Sequence, residues 1–128
     1  LLHHPGIYIA PSEGKGLGVF THQPILKNDV IEICPIIIIP PEQVAIIDPT
    51  IFYNYYFTWD NPEDSACIAL GYGSVYNHSF KPNAEVISDD EQATLTFKCI
   101  KNIAPGEEIL IDYCGGIANV KELWFDPF

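Results

Sequence analysis

Hydrophobic positions fall along this chain in short bursts parted by turn residues, a pattern that predicts strands rather than amphipathic helices. IYIA at 7–10 reads as a short strand, and PSEGKGLGVF at 11–20 places Gly14, Gly16 and Gly18 close together before apolar character resumes at Val19 and Phe20. Glycines so spaced let a backbone come close to something, although a GxG alone carries little specificity. From Pro24 to Ile39 a turn signal at Lys27-Asn28-Asp29 precedes two β-branched runs, which predicts strand, proline break at Pro35, strand. The four isoleucines at 36–39 would form a sheet or subunit-interface surface, and Pro40 and Pro41 stop them.

Residues 42–58 are dense in aromatics and are expected to hold a short helical turn, limited by Pro49. A polar connection follows at 59–64. The run ACIALGYG then leads into GYGSVYNHSFKPNA at 71–84, too rich in turn-forming and polar residues to continue a strand. AEVIS and ATLTFKCIKN predict two strands around the acidic turn Asp89-Asp90-Glu91, and residues 104–113 predict a turn, two carboxylates and a strand ending in Tyr113. The tail CGGIANVKELWFDPF is hinged at Gly115-Gly116 and ends in aromatics. The expected fold is mostly β, with short helical turns.

Composition narrows the partners more than the fold. At 128 residues and 48% hydrophobic content, the chain suits one domain with one core. A formal charge of −11 argues against direct nucleic-acid binding and favours a basic protein or peptide, though an acidic surface also serves solubility. Cys34, Cys67, Cys99 and Cys114 form no CxxC pair, so a zinc site of neighbouring thiols is not expected. No secretory signal pattern is visible, and the apolar run Cys34–Ile39 is too short to span a membrane. The expected setting is intracellular, in nucleus or cytoplasm.

Three stretches in order, GKGLGVF at 14–20, NHSFKPN at 77–83 and GEEILIDY at 106–113, resemble the signature of the SET-domain protein lysine methyltransferases. The likeness spans about residues 7–113 and is closest to the compact stand-alone form of viral and bacterial members, without flanking zinc clusters. It implies a single SET domain over 1–128: small curved sheets, a C-terminal pseudoknot between the second and third stretches, and residues 114–128 closing the cofactor site. The implied reaction moves a methyl group from S-adenosylmethionine to the ε-amine of a lysine in a basic protein or peptide, a histone tail being one candidate.

By the same resemblance, Tyr113 is the catalytic tyrosine. With a reference pKa of about 10 it is a poor base at neutral pH, so its expected role is orienting and electrostatic. Lys15, Gly16, Leu17 and Gly18 match the first cofactor loop and Asn77 and His78 the cofactor grip; Tyr113 also borders the cofactor. Trp124 or Phe125 would fold over the adenine. Tyr55, Phe57 and Tyr72 are the candidate lining of the lysine channel, with Tyr56 as a further aromatic. Ile111 stands where many members carry Phe or Tyr, and the smaller side chain implies room for di- or trimethylation. Glu107 and Glu108 are expected to serve the turn and pseudoknot rather than acid–base chemistry. Two other readings compete: a catalytically silent SET-like peptide-binding module, and a metal-binding protein using His3, His4, His78 and cysteines, for which no ligand spacing exists. The isoleucine run makes a homodimer conceivable.

Overall fold

The computed structural model describes residues 2–112. Tyr113, Cys114, Trp124 and Phe125 lie outside them, as does the glycine-hinged tail. In chain order the elements are β1 (Leu2–His3), β2 (Ile7–Ser12), β3 (Gly16–Thr21), β4 (Val30–Ile39), α1 (Pro41–Ile47), the 3₁₀ turn η1 (Ile51–Asn54), β5 (Phe57–Trp59), β6 (Ser65–Ala69), a second 3₁₀ turn η2 (Gly73–Val75), β7 (Asn77–His78), β8 (Ala84–Asp89), β9 (Thr94–Cys99) and β10 (Leu110–Ile111). The fold is mostly β, as the hydrophobic pattern predicts.

One mixed sheet runs β5-β6-β4-β9-β8-β10-β7, with β1 also paired to β4, and β2-β3 form a separate hairpin. The hairpin is held against the rest by backbone bonds to the late segment: Thr21 N–H to Glu107 C=O at 3.2 Å and Ile109 N–H to Val19 C=O at 2.8 Å. The glycine stretch therefore meets the GEE stretch through main-chain pairing.

The expected proline break at 35 is corrected. β4 is one ten-residue strand that changes partner at Pro35: Val30–Pro35 runs against β9, Ile36–Ile39 against β6. A residue without an N–H costs least where one ladder gives way to another, and the Pro35 carbonyl is still used by Leu70 N–H at 2.9 Å. The helical turn expected in 42–58 resolves into two elements. Pro41 occupies the first turn of α1, where a missing N–H is harmless, and Thr50 caps η1 by accepting from Phe52 N–H at 3.2 Å.

The main core gathers residues from both sheets, including Ile25, Ile31, Cys34, Phe57, Leu95, Phe97, Ile109 and Ile111. At its centre Tyr76 stacks on Phe97 at 4.4 Å between ring centroids. Cys34, Cys67 and Cys99 are buried free thiols, and burial pushes Cys67 up to about 12, so they act as small core residues rather than reactive groups. The isoleucine run is split: Ile37 and Ile38 are exposed while Ile36 packs on the core.

β10 fixes the topology of the site. It runs parallel to β7, with Leu110 opposite Asn77 and Ile111 opposite His78, and parallel to β8, with Ile111 opposite Ala84. Because β7 and β8 are the two ends of one stretch, the loop 79–83 joining them must cross a face of β10. A strand enclosed by a single earlier loop is a rare topology. Asn83 secures it: its Nδ2 donates to Glu108 C=O at 2.9 Å, and its Oδ1 accepts from Leu110 N–H at 2.8 Å.

Candidate functional site

The three sequence stretches, scattered over about a hundred positions, meet at one place. Asn77 Nδ2 donates to the Leu17 carbonyl at 3.0 Å and to Glu108 Oε2 at 2.7 Å. Glu108 Oε1 accepts from Ser12 Oγ at 2.7 Å. A side chain from each of the second and third stretches and a carbonyl from the first thus share one hydrogen-bond network.

The glycines of the first loop serve different purposes. Gly14 and Gly16 have φ of +76° and +77°, and a Cβ on either would stand in open space, so backbone conformation demands glycine there. At Gly18 a Cβ would overlap the Glu108 carboxylate and lie 2.8 Å from Asn77 Nδ2, so close approach of protein groups demands it. Leu17 is exposed beside them.

His78 points inward. It is 3% exposed, its ring meets Phe80 edge-on at 4.7 Å, and its Nδ1 lies 3.8 Å from Asp112 Oδ1. Burial lowers its pKa from the usual 6.5, the Asp112 carboxylate opposes that shift, and the positive charge of Lys15 adds to it. That influence brings Lys15 of the first loop within electrostatic reach of His78. The imidazole is committed to the interior, so of the two side chains of β7 it is that of Asn77, only half-buried, that is placed to meet a ligand. Among the described residues no group of three His, Cys, Asp or Glu side chains could hold a metal ion.

The aromatic candidates separate. Phe57 and Ile111 belong to the main core, at 3% and 0% exposure, and Tyr72 packs against it. Tyr55, 42% exposed, ends η1, whereas Tyr56 is buried in a small second cluster with Val44 and Ala66. Phe57 meets Phe97 edge-on at 6.2 Å. Of these side chains, only Tyr55 and Tyr72 retain surface from which a channel could be lined.

Sequence reasoning missed Glu32 and Tyr76. Glu32, 1% exposed, accepts from Tyr76 Oη at 2.8 Å and from Tyr72 N–H at 2.9 Å, binding both ends of the turn η2 that delivers Asn77. Burial first, and then the charge of Glu32, push both the Tyr76 phenol and the neighbouring Cys34 thiol well up. Gly71, at φ +67°, has its Cβ position filled by the Glu32 carboxylate. A signal existed in the sequence: a carboxylate inside the apolar run VIEIC is a buried-polar anomaly. Strand alternation concealed it, because an irregularity between Val30 and Glu32 turns two successive side chains, Ile31 and Glu32, inward.

Known proteins agree with this geometry. The family model described as SET domain matches residues 16–114. A curated relative, the H3 lysine-37 specific histone-lysine N-methyltransferase of Schizosaccharomyces pombe, is 30% identical over 119 residues, covering 92% of this chain and 76% of its own. A crystal structure of a Plasmodium falciparum protein named as a candidate histone methyltransferase superposes with a TM-score of 0.64 at 34% identity, over 86% of this chain and 94% of the other. With the late strand enclosed by the NHSFKPN loop and the three stretches joined through Asn77 and Glu108, the chain belongs to the SET-domain family of protein-lysine N-methyltransferases.

Proposed function

We propose that this chain transfers methyl groups from S-adenosylmethionine to the ε-amine of a lysine in a basic protein or peptide, a histone tail being the leading substrate class. The observation that carries the reading is the joining of the three stretches at Asn77, where a ligand held by one would lie against the others. The residues there suit the cofactor. Gly16 opens space beside a backbone turned into the left-handed region, and Asn77 has spent both of its amide hydrogens on protein acceptors, so its oxygen remains for a ligand donor.

When bound, S-adenosylmethionine supplies a methyl group activated on a sulfonium sulfur. The protein's share is to hold the amine neutral and aligned. A free lysine has a pKa of about 10.4, so roughly one amine in a few thousand is nucleophilic at pH 7. Desolvation in a narrow aromatic passage, for which Tyr55 and the half-buried Tyr72 are the candidates that retain surface, disfavours the ammonium form. Alignment of the reacting atoms then supplies much of the remaining acceleration. Lys15, Gly16, Leu17, Gly18, Asn77 and His78 would hold the cofactor, and Tyr113 would orient the reacting groups with Trp124 covering the adenine. A net charge of −11 favours capture of a basic substrate, which would add as an extended strand at a sheet edge. A histone substrate would be met in nucleus or cytoplasm. No helix among the described residues is long and apolar enough to cross a membrane.

The decisive experiment incubates the protein with methyl-labelled cofactor and a panel of histones and other basic proteins, beside Tyr113→Phe. Label on lysine, lost or strongly reduced in the variant, is expected. Cofactor binding without transfer to any protein would replace the enzyme with a silent peptide-binding module. Ile111 leaves the position two before Tyr113 without an aromatic, so the product should include di- or trimethyl-lysine; mass spectra ending at monomethyl-lysine would refute that part.

A further inference from the structure

We infer that Glu108 is a positioning residue for cofactor recognition, acting through Asn77: it fixes which way the Asn77 side-chain amide faces. This rests on the cofactor site proposed above.

An asparagine amide can turn by 180° and exchange its oxygen and nitrogen at almost no change in shape, and a loop asparagine would sample both states. Here the two neighbours of the amide are a backbone carbonyl, Leu17 C=O at 3.0 Å, and a carboxylate oxygen, Glu108 Oε2 at 2.7 Å. Both are acceptors only, so the nitrogen must face them. The flipped state would set the amide oxygen against two acceptors. Oδ1 is therefore directed to the other side as a fixed acceptor, ready for an N–H donor of the ligand. Leu17 alone leaves one amide hydrogen uncommitted, and it is Glu108 that completes the selection.

Glu108 is itself held. Its other oxygen accepts from Ser12 Oγ at 2.7 Å, and its backbone carbonyl accepts from Asn83 Nδ2 at 2.9 Å. Gly18 leaves the space into which the carboxylate fits. Ser12, Gly18, Asn77 and Asn83 converge on Glu108, the kind of support by which preorganised sites hold the residues that meet a ligand.

The test is cofactor affinity by calorimetry. Glu108→Gln can still offer its oxygen to Asn77 while its amide donates to Ser12 Oγ, so it should stay within about threefold of the parent protein. Glu108→Met keeps the bulk and loses the acceptor, and S-adenosylmethionine binding should weaken roughly tenfold or more. In an Asn77→Ala background, Glu108→Met should cost almost nothing further, because the effect passes through Asn77. Full affinity in Glu108→Met, or an equal loss with and without Asn77, overturns the inference while leaving the proposed activity intact. Failure of the parent protein to bind S-adenosylmethionine removes the proposed activity and this inference with it. Should Glu108→Met not fold, hydrogen exchange of the Asn77 side-chain amide in the parent decides: two slowly exchanging protons support the locked state, and fast exchange overturns it.

Discussion

Replacing Tyr76 with phenylalanine removes one oxygen from the centre of the core and leaves the ring stacked on Phe97. What is lost is the 2.8 Å hydrogen bond to Glu32, a carboxylate at 1% exposure that has no access to water to replace it. Hydrogen bonds to a charged group are worth about 1.5–3 kcal/mol, and this loss leaves a buried acceptor short of one donor, so about 2 kcal/mol of destabilisation is expected. An unfolding entropy near 2.1 cal/mol/K per residue gives roughly 270 cal/mol/K for a chain of this length, and about 2 kcal/mol then lowers Tm by about 7 °C.

Glu32→Gln provides the contrast. Its oxygen can still take the Tyr72 N–H and its amide can donate to the Tyr76 oxygen, so its cost should be nearer 1 kcal/mol. Differential scanning fluorimetry and urea titration of the parent and both variants measure this. A Tm for Tyr76→Phe within a degree of the parent would refute the reasoning, since it would mean that the carboxylate does not depend on the phenol. Because Glu32 holds both ends of the turn before Asn77, Tyr76→Phe should also weaken S-adenosylmethionine binding, though less than a change at Asn77 itself.

Other changes have equally defined outcomes. Asn83→Ala removes both side-chain bonds that hold the loop over β10 and orphans the Leu110 N–H, which should cost about 2–3 kcal/mol by chemical denaturation. Gly18→Ala drives a methyl into the Glu108 carboxylate, and a fall in both Tm and cofactor affinity is expected, whereas Gly16→Ala, with open space but φ of +77°, should lower stability by about 1 kcal/mol through backbone strain alone. Phe97→Ala empties the centre of the main core and should cost about 3–5 kcal/mol, a large share of a total stability of about 5–15 kcal/mol. Burial lowers the His78 pKa below 6.5, so the unfolded chain takes up that proton first; the stabilisation it represents is whole above pH 6.5 and is lost as pH falls through the folded-state value. Urea titrations between pH 7.5 and 5 should therefore show a decline in the parent that is shallower in His78→Gln, and identical slopes would contradict the burial argument.

The sequence by itself determined the strand-rich class and the three stretches from which the site is built, because β-branched runs and turn residues act locally and need no tertiary partner to be read. It also placed Gly14 and Gly16, whose need for glycine is set by their own backbone angles. What only the tertiary structure decided lies wherever two distant segments share one atom. Pro35 looked like a break and is a change of partner, since its neighbours β9 and β6 come from elsewhere in the chain. Glu32, inside the apolar run VIEIC, faces Tyr76, forty-four residues away, beside an irregularity in the ladder with β9. That Phe57 and Ile111 lie in the main core was also not legible, because apolar residues around a site and apolar residues beneath it obey the same pattern. Asn77 was legible as a candidate, but the direction of its amide was not. That direction depends on two acceptors, Leu17 and Glu108, brought to it from sixty and thirty-one residues away.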